Sequence, residues 1–258
     1  LNLIIDKHRL QFSKYPESLA PEKVTIIFLH DSLGCIELWK DFPKQIASKT
    51  ECNILSYDRQ GYGKSAPFIT SKRNNDYLKE EAYILEKIIQ NLGLRNVILF
   101  GHSDGGSIAL LTAALFPEKI TGIITEGAHV FVEQETINGI KAAVLAYQNT
   151  SLKEKLYKYH GDKTEAVFRM WTETWLSETY QSWNIEEYLP KIKCPSLIIQ
   201  GKKDEYGTLD QVNSIVKNTS SYSEALLISD IGHTPHKEST EIVVKNVISF
   251  INKIYPSH

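Results

Sequence analysis

Residues 97–106 read Val-Ile-Leu-Phe-Gly-His-Ser-Asp-Gly-Gly, an apolar run that ends in G-x-S-x-G with Ser103 at its centre. A serine between two glycines, on a tight turn from strand to helix, holds its hydroxyl out as a nucleophile. Gly101 and Gly105 leave room for that turn where a Cβ would clash. The hydroxyl is a weak nucleophile until a base takes its proton and a third group orients the base. The base is read as His233, in Ile231-Gly232-His233-Thr234-Pro235-His236, just past the last strand pattern. His236 is the rival, less well placed. The acid is read as Asp204, three residues beyond Gly201 at the end of another strand pattern. Its structural alternative is a turn or helix-cap aspartate. Asp230 competes, but it is too close to His233 in sequence to reach around the imidazole easily. The order Ser103, Asp204, His233 matches the Ser…Asp…His order of one fold class.

Acyl transfer also needs donors aimed at the developing oxyanion. One is the backbone N–H of Asp104, the residue after the nucleophile. The other is expected from His30-Asp31-Ser32-Leu33-Gly34, with the Ser32 N–H as candidate and Leu33 next. Asp58-Arg59-Gln60-Gly61-Tyr62-Gly63-Lys64-Ser65 reads as a tight loop at the same rim, with Asp58 and Arg59 as scaffold. Asp31, Asp104, Glu126, His129, Trp171 and Trp175 are the substrate-binding candidates, with Glu133 and Glu135 as further anions. The Asp104 carboxylate has two readings. It could pair with a substrate ammonium, or favour the helix N-terminus that follows it.

These groups need a frame. A short hairpin is expected from Leu1–Ile5 and Arg9–Phe12, then strands at Val24–Leu29, Cys52–Tyr57, Asn96–Phe100, Ile120–Thr125, Ser196–Gln200 and Glu224–Ile228. Helical periodicity covers Ile36–Ser48, Asp76–Leu92, Ser107–Phe116, Leu209–Val216 and Thr240–Ile254. Strand–helix alternation implies a mostly parallel sheet with helices on both faces, which binds ligands at the carboxyl ends of its strands. From about Val130 to Leu189 strands give way to aromatic-rich helices. The expected organisation is therefore an α/β core of 1–129 and 190–258 with a helical cap of 130–189. Phe168, Trp171 and Trp175 stand at helical spacing and read first as cap core, with a few such rings facing the pocket.

Composition narrows the partners. The 258 residues carry 42% hydrophobic and 23% charged residues and a net charge of −2, ordinary for a globular protein. Nothing points to nucleic acid or an anionic membrane. A small-molecule substrate and a monomer or homodimer are expected. Three cysteines, Cys35, Cys52 and Cys194, form no CxxC and no zinc spacing, which fits a reducing cytoplasm. No apolar run approaches the roughly 20 residues that span a bilayer. The chain begins at Leu1 without Met, so a removed targeting segment stays open.

Together these motifs resemble the α/β-hydrolase superfamily along nearly the whole chain: D-R-x-G-x-G-x-S at 58–65, G-H-S-D-G-G at 101–106, G-x-x-D at 201–204 and G-H at 232–233. The resemblance implies the α/β-hydrolase fold, an oxyanion hole, and no metal or organic cofactor. Ser-Asp-Gly-Gly at the turn, followed by Glu126-Gly127-Ala128-His129-Val130-Phe131-Val132, is similar to the valacyclovir-hydrolase-like (biphenyl-hydrolase-like) branch. That branch cleaves esters of α-amino acids, and its acid after the nucleophile, here Asp104, helps recognise the substrate ammonium. One departure is His30-Asp31, where many relatives have His-Gly. Asp tolerates positive φ, so the loop could keep its shape, or the Asp31 carboxylate could enter the pocket and repel anions. The leading expectation is hydrolysis of a small carboxylic ester. A carbon–carbon hydrolase, a lactonase, an iminopeptidase or a non-enzymatic small-molecule receptor stay as alternatives.

Overall fold

Runs such as Thr25–Leu29 and Val97–His102 are apolar almost throughout because their strands are covered on both faces. A computed structural model describes residues 2–5 and 8–255. Leu1, at the start of the expected hairpin, and residues 256–258 lie outside the described residues.

In chain order the elements are β1 (Asn2–Ile5), β2 (His8–Tyr15), β3 (Thr25–Leu29), α1 (Phe42–Thr50), β4 (Asn53–Asp58), α2 (Tyr77–Asn91), β5 (Val97–His102), α3 (Asp104–Leu115) and β6 (Ile120–Glu126). Then come α4 (Gln134–Asn149), α5 (Leu152–His160), α6 (Thr164–Trp175), β7 (Ser196–Gly201), α7 (Leu209–Asn218), β8 (Ser223–Ile228), α8 (Pro235–Glu238) and α9 (Thr240–Ile254). The eight strands form one sheet in the order β1-β2-β4-β3-β5-β6-β7-β8. Only the β1–β2 and β2–β4 pairings are antiparallel. Helices cover both faces. Phe42 and Ile46 of α1 pack with Val243, Val247 and Phe250 of α9 on one side. Leu78 and Leu85 of α2, Ile108 of α3 and Val212 of α7 pack on the other.

The expected helix over Ile36–Ser48 is broken. Ile36–Trp39 forms one 3-10 turn, Lys40 takes φ 52°, and α1 starts only at Phe42. Pro43 supplies the reason: it has no N–H to donate and is tolerated only in a first helical turn.

Between β6 and β7 stand α4, α5 and α6. The segment's two ends run side by side. Ile185 N–H donates to the Val130 carbonyl at 2.7 Å, and Phe131 bridges Asn184. Aromatics build its interior: Tyr147 stacks on Phe168 at 3.8 Å, and Trp175, Tyr180 and Trp183 form a cluster. Its far end is pinned to the core. Buried His160 donates from Nε2 to the Leu33 carbonyl at 2.9 Å and accepts the Gly63 N–H on Nδ1 at 3.0 Å. Lys163 donates to the carbonyls of Tyr62, Gly63 and Ser65. Among the described residues no helix is long and apolar enough to cross a membrane.

Candidate active site

Ser103 sits between β5 and α3 with φ 55° and ψ −119°, a conformation that costs a non-glycine residue about 1–3 kcal/mol and persists only when its surroundings enforce it. The surroundings leave no alternative. A Cβ on Gly101 would fall on the Gly105 carbonyl, and one on Gly105 would fall on the Leu29 carbonyl. The tightly packed turn therefore presents Ser103 to a cavity of about 350 Å³ at the carboxyl ends of the strands. His233 shares that cavity.

His233 Nδ1 lies 2.9 Å from both carboxylate oxygens of Asp204. Burial opposes the charged imidazole, but the Asp204 charge and hydrogen bond outweigh it, so the His233 pKa is raised. Burial likewise opposes the Asp204 carboxylate, and His233 with the Tyr206 amide holds its pKa below the ordinary value. Asp204 is further fixed by Gln200 Nε2 at 2.9 Å and by Tyr206 N–H at 2.8 Å. Gly127, at φ 54°, lets His233 approach: a Cβ there would stand 2.7 Å from the imidazole.

The rivals are occupied elsewhere. His236 Nδ1 is bound to Glu126 at 2.6 Å, and its ring packs on Trp39 and Phe42. Asp230 is exposed and paired with Lys203. Glu126 must also be withdrawn as a substrate-binding candidate. It is fully buried against His236 and is not part of the cavity wall. Glu133 accepts from Thr208 and Gln211, and Glu135 is exposed outside the wall.

Ser32, Leu33 and Asp104 all line the cavity. The Leu33 N–H donates to Asp31 Oδ1 at 2.7 Å, which leaves Ser32 as the open amide of that pair. The Asp104 N–H opens α3 and has no preceding helical turn to bond with. Asp31 does not belong to the described non-glycine residues with positive φ. Its tolerance of left-handed backbone is therefore not what suits it to this loop. Its carboxylate closes the turn onto Leu33 and lies 3.2 Å from His102 Nδ1. Burial would raise the Asp31 pKa, but the His102 contact outweighs it and holds the carboxyl well below its usual range.

Asp104 is buried and does not cap its helix. Oδ2 accepts the Tyr77 hydroxyl at 3.0 Å and lies 3.6 Å from Arg59 Nη1, while Oδ1 has no protein partner. Trp175 Nε1 holds Tyr77 in place at 2.8 Å. Both Trp171 and Trp175 line the cavity, whereas Phe168 stays in the interior of the α4–α6 segment. His129 is also a wall residue. Its Nε2 lies 3.0 Å from the Tyr206 carbonyl, and its Nδ1 is buried without a partner. Burial lowers its pKa. Sequence reasoning missed Gln200, Tyr206, Glu205 and Lys237. Gln200 ends the strand pattern before Asp204, a position from which the role was inferable; Glu205 and Tyr206 sit in a loop and Lys237 in the short α8, none of them within a motif.

The sequence profile of the alpha/beta hydrolase fold family matches residues 24–187. The chain belongs to the α/β-hydrolase family. This hydrolase is 26% identical over 257 residues to the Klebsiella pneumoniae 2-hydroxy-6-oxononadienedioate/2-hydroxy-6-oxononatrienedioate hydrolase, covering 89% of this chain and 87% of that protein. It is 28% identical over 193 residues to human serine hydrolase BPHL, covering 69% of this chain and 62% of BPHL. Its fold is that of MGS-M2, an alpha/beta hydrolase enzyme from a deep-sea metagenome library, at TM-score 0.77 and 18% identity, with 100% of this chain and 99% of that one covered.

Proposed function

We propose that this hydrolase cleaves small-molecule carboxylic esters through an acyl-enzyme on Ser103, and that esters of α-amino acids are its preferred class. His233 takes the Ser103 proton as the hydroxyl attacks the carbonyl. Asp204 holds the Nδ1–H and stabilises the imidazolium, and the Ser32 and Asp104 amides accept the oxyanion. His233 then protonates the leaving alcohol, and water repeats the sequence on the acyl-enzyme. The chemistry calls for no metal or organic cofactor.

The observation that carries the preference is Asp104 Oδ1, a buried carboxylate oxygen beside the nucleophile with no protein donor. An unsatisfied buried acceptor costs about 1–3 kcal/mol, and a substrate ammonium offers three N–H donors to relieve it. His129 Nδ1 is a second unsatisfied acceptor in the same wall. Three carboxylate residues, Asp31, Asp104 and Glu205, and one ammonium, Lys237, line the cavity, with the Arg59 guanidinium behind Asp104, which leaves the carboxylates in excess. That balance opposes a dianion such as the nonadienedioate named for the Klebsiella relative. It supports the ester reading over a carbon–carbon hydrolase. Three buried free thiols support a cytoplasmic setting.

The test compares an α-amino acid ester with its des-amino analogue. The ammonium ester is expected to show a kcat/KM about 10- to 150-fold higher, the equivalent of a charged hydrogen bond of about 1.5–3 kcal/mol. Asp104→Asn is expected to erase the ratio. Equal kcat/KM for the two esters sinks the preference. A serine-reactive phosphonate separates enzyme from receptor: Ser103 is labelled, and Ser103→Ala abolishes both labelling and turnover.

A further inference from the structure

Arg59 follows β4 and reads from sequence as scaffold, yet its guanidinium faces both halves of the oxyanion site. On one side, Nη2 donates to the Asp31 carbonyl at 2.9 Å and to the His30 carbonyl at 3.3 Å. The Asp31 carbonyl also receives Gly34 N–H at 3.2 Å and His30 Nδ1 at 2.8 Å. The His30 tautomer follows from its partners, since Nε2 accepts the Arg59 backbone N–H at 3.1 Å. Burial, with Arg59 adding to it, holds the His30 pKa well below its ordinary value, so the ring stays neutral.

The Asp31–Ser32 peptide is trans. In a planar trans peptide the C=O and N–H point in opposite directions. Donors that hold the Asp31 carbonyl therefore aim the Ser32 N–H. On the other side, Arg59 Nη1 lies 3.6 Å from the Asp104 carboxylate Oδ2, an ion-pair contact without a hydrogen bond, and the backbone of that same residue supplies the second amide. The guanidinium is itself fixed, 4.7 Å over the Tyr62 ring and 1% exposed.

We propose that Arg59 is the positioning residue of the oxyanion hole, aiming the Ser32 amide through the hydrogen-bonded Asp31 carbonyl and holding the Asp104 carboxylate beside it by charge. The proposal rests on reading the Ser32 and Asp104 amides as the oxyanion donors. A planar guanidinium reaches two acceptors at a fixed angle, whereas a lysine ammonium is a point charge on a flexible stem.

Arg59→Lys and Arg59→Met are compared with the wild type on a chromogenic ester, with folding checked by thermal melting. Methionine leaves the Asp104 charge buried and unpaired, so Arg59→Met/Asp104→Asn, compared with Asp104→Asn alone on a chromogenic ester without an amino group, carries the same test without that charge. In each folded variant kcat is expected to fall about 10- to 100-fold while KM stays within about twofold. The second readout is the infrared carbonyl band of the carbonyl-labelled Ser103 acyl-enzyme. Poorer hydrogen bonding to that carbonyl moves the band to higher frequency, and lower stability alone leaves it in place. A folded variant with wild-type kcat and band, or a loss confined to KM, overturns the role of Arg59. Failure of the wild type to form any acyl-enzyme on Ser103 overturns the reading of the site, and this proposal with it.

Discussion

In the proposed mechanism, the His233–Asp204 pair sets the pH response at the scale of single residues. Only the neutral imidazole can take the Ser103 proton. Burial lowers the His233 pKa, but Asp204 raises it further, so the folded value lies above 6.5. The neutral fraction is therefore lost as pH falls through that raised value. The expected kcat/KM profile has its acid limb centred above pH 6.5. Asp204→Asn removes the carboxylate charge and is expected to move the limb to lower pH while cutting kcat by about 10⁴-fold, through loss of the oriented tautomer. An unmoved limb in that variant would show that Asp204 does not govern His233. The residue scale also explains how Ser103, Asp204 and His233 were legible in the sequence. Each follows a glycine or strand end that projects it to one rim. The partner of Asp31 was not legible, because His102 lies 71 positions away and meets it only in the fold.

At the scale of elements, the contact between the inserted helices and the core is the informative feature. His160, at the end of α5, accepts the Gly63 amide and donates to the Leu33 carbonyl, both outside its own segment. Replacing it with phenylalanine removes both bonds, at about 1–3 kcal/mol for the buried groups left unsatisfied. His160→Phe is expected to lower Tm and to lower kcat, since Leu33 adjoins the Ser32 amide. An unchanged melting curve would sink this account of the latch. Burial lowers the His160 pKa. The sign follows: its neutral form is favoured in the fold, so this contribution is present above the unfolded pKa and is lost as pH falls from about 6.5 toward the lowered value. The strand–helix alternation was readable from periodicity because buried parallel strands are apolar throughout. The break between Trp39 and α1 was not, since the pattern at 36–48 has the helical period and only Pro43 marks the later start.

At the scale of the whole molecule, the sheet buries each cysteine in a different place. Cys35 follows the β3 loop, Cys52 precedes β4, and Cys194 precedes β7; all three are free and buried. Burial pushes the Cys35 and Cys194 thiols up to about 12 and raises that of Cys52. A thiol is reactive as its thiolate. An aromatic disulfide reagent is therefore expected to label none of the three on the native protein within minutes and all three in denaturant. Rapid native labelling of Cys35 would show that the wall beside the loop of residues 30–34 opens.

The sequence by itself determined the parallel α/β frame, the strained turn under Ser103 and the order of its partners. These depend on local rules: apolar runs make buried strands, and glycines permit close turns. Only the tertiary structure showed what the two neighbouring imidazoles bind, His233 against Asp204 in the cavity wall and His236 against Glu126 behind it. It alone removed Glu126 from the cavity wall, freed the Ser32 amide by giving Leu33 to Asp31, and put Arg59 between Asp31 and Asp104. Hydrogen-bond partners across distant segments have no periodicity. They are chosen by which loops the sheet brings together, and that is a property of the packed molecule.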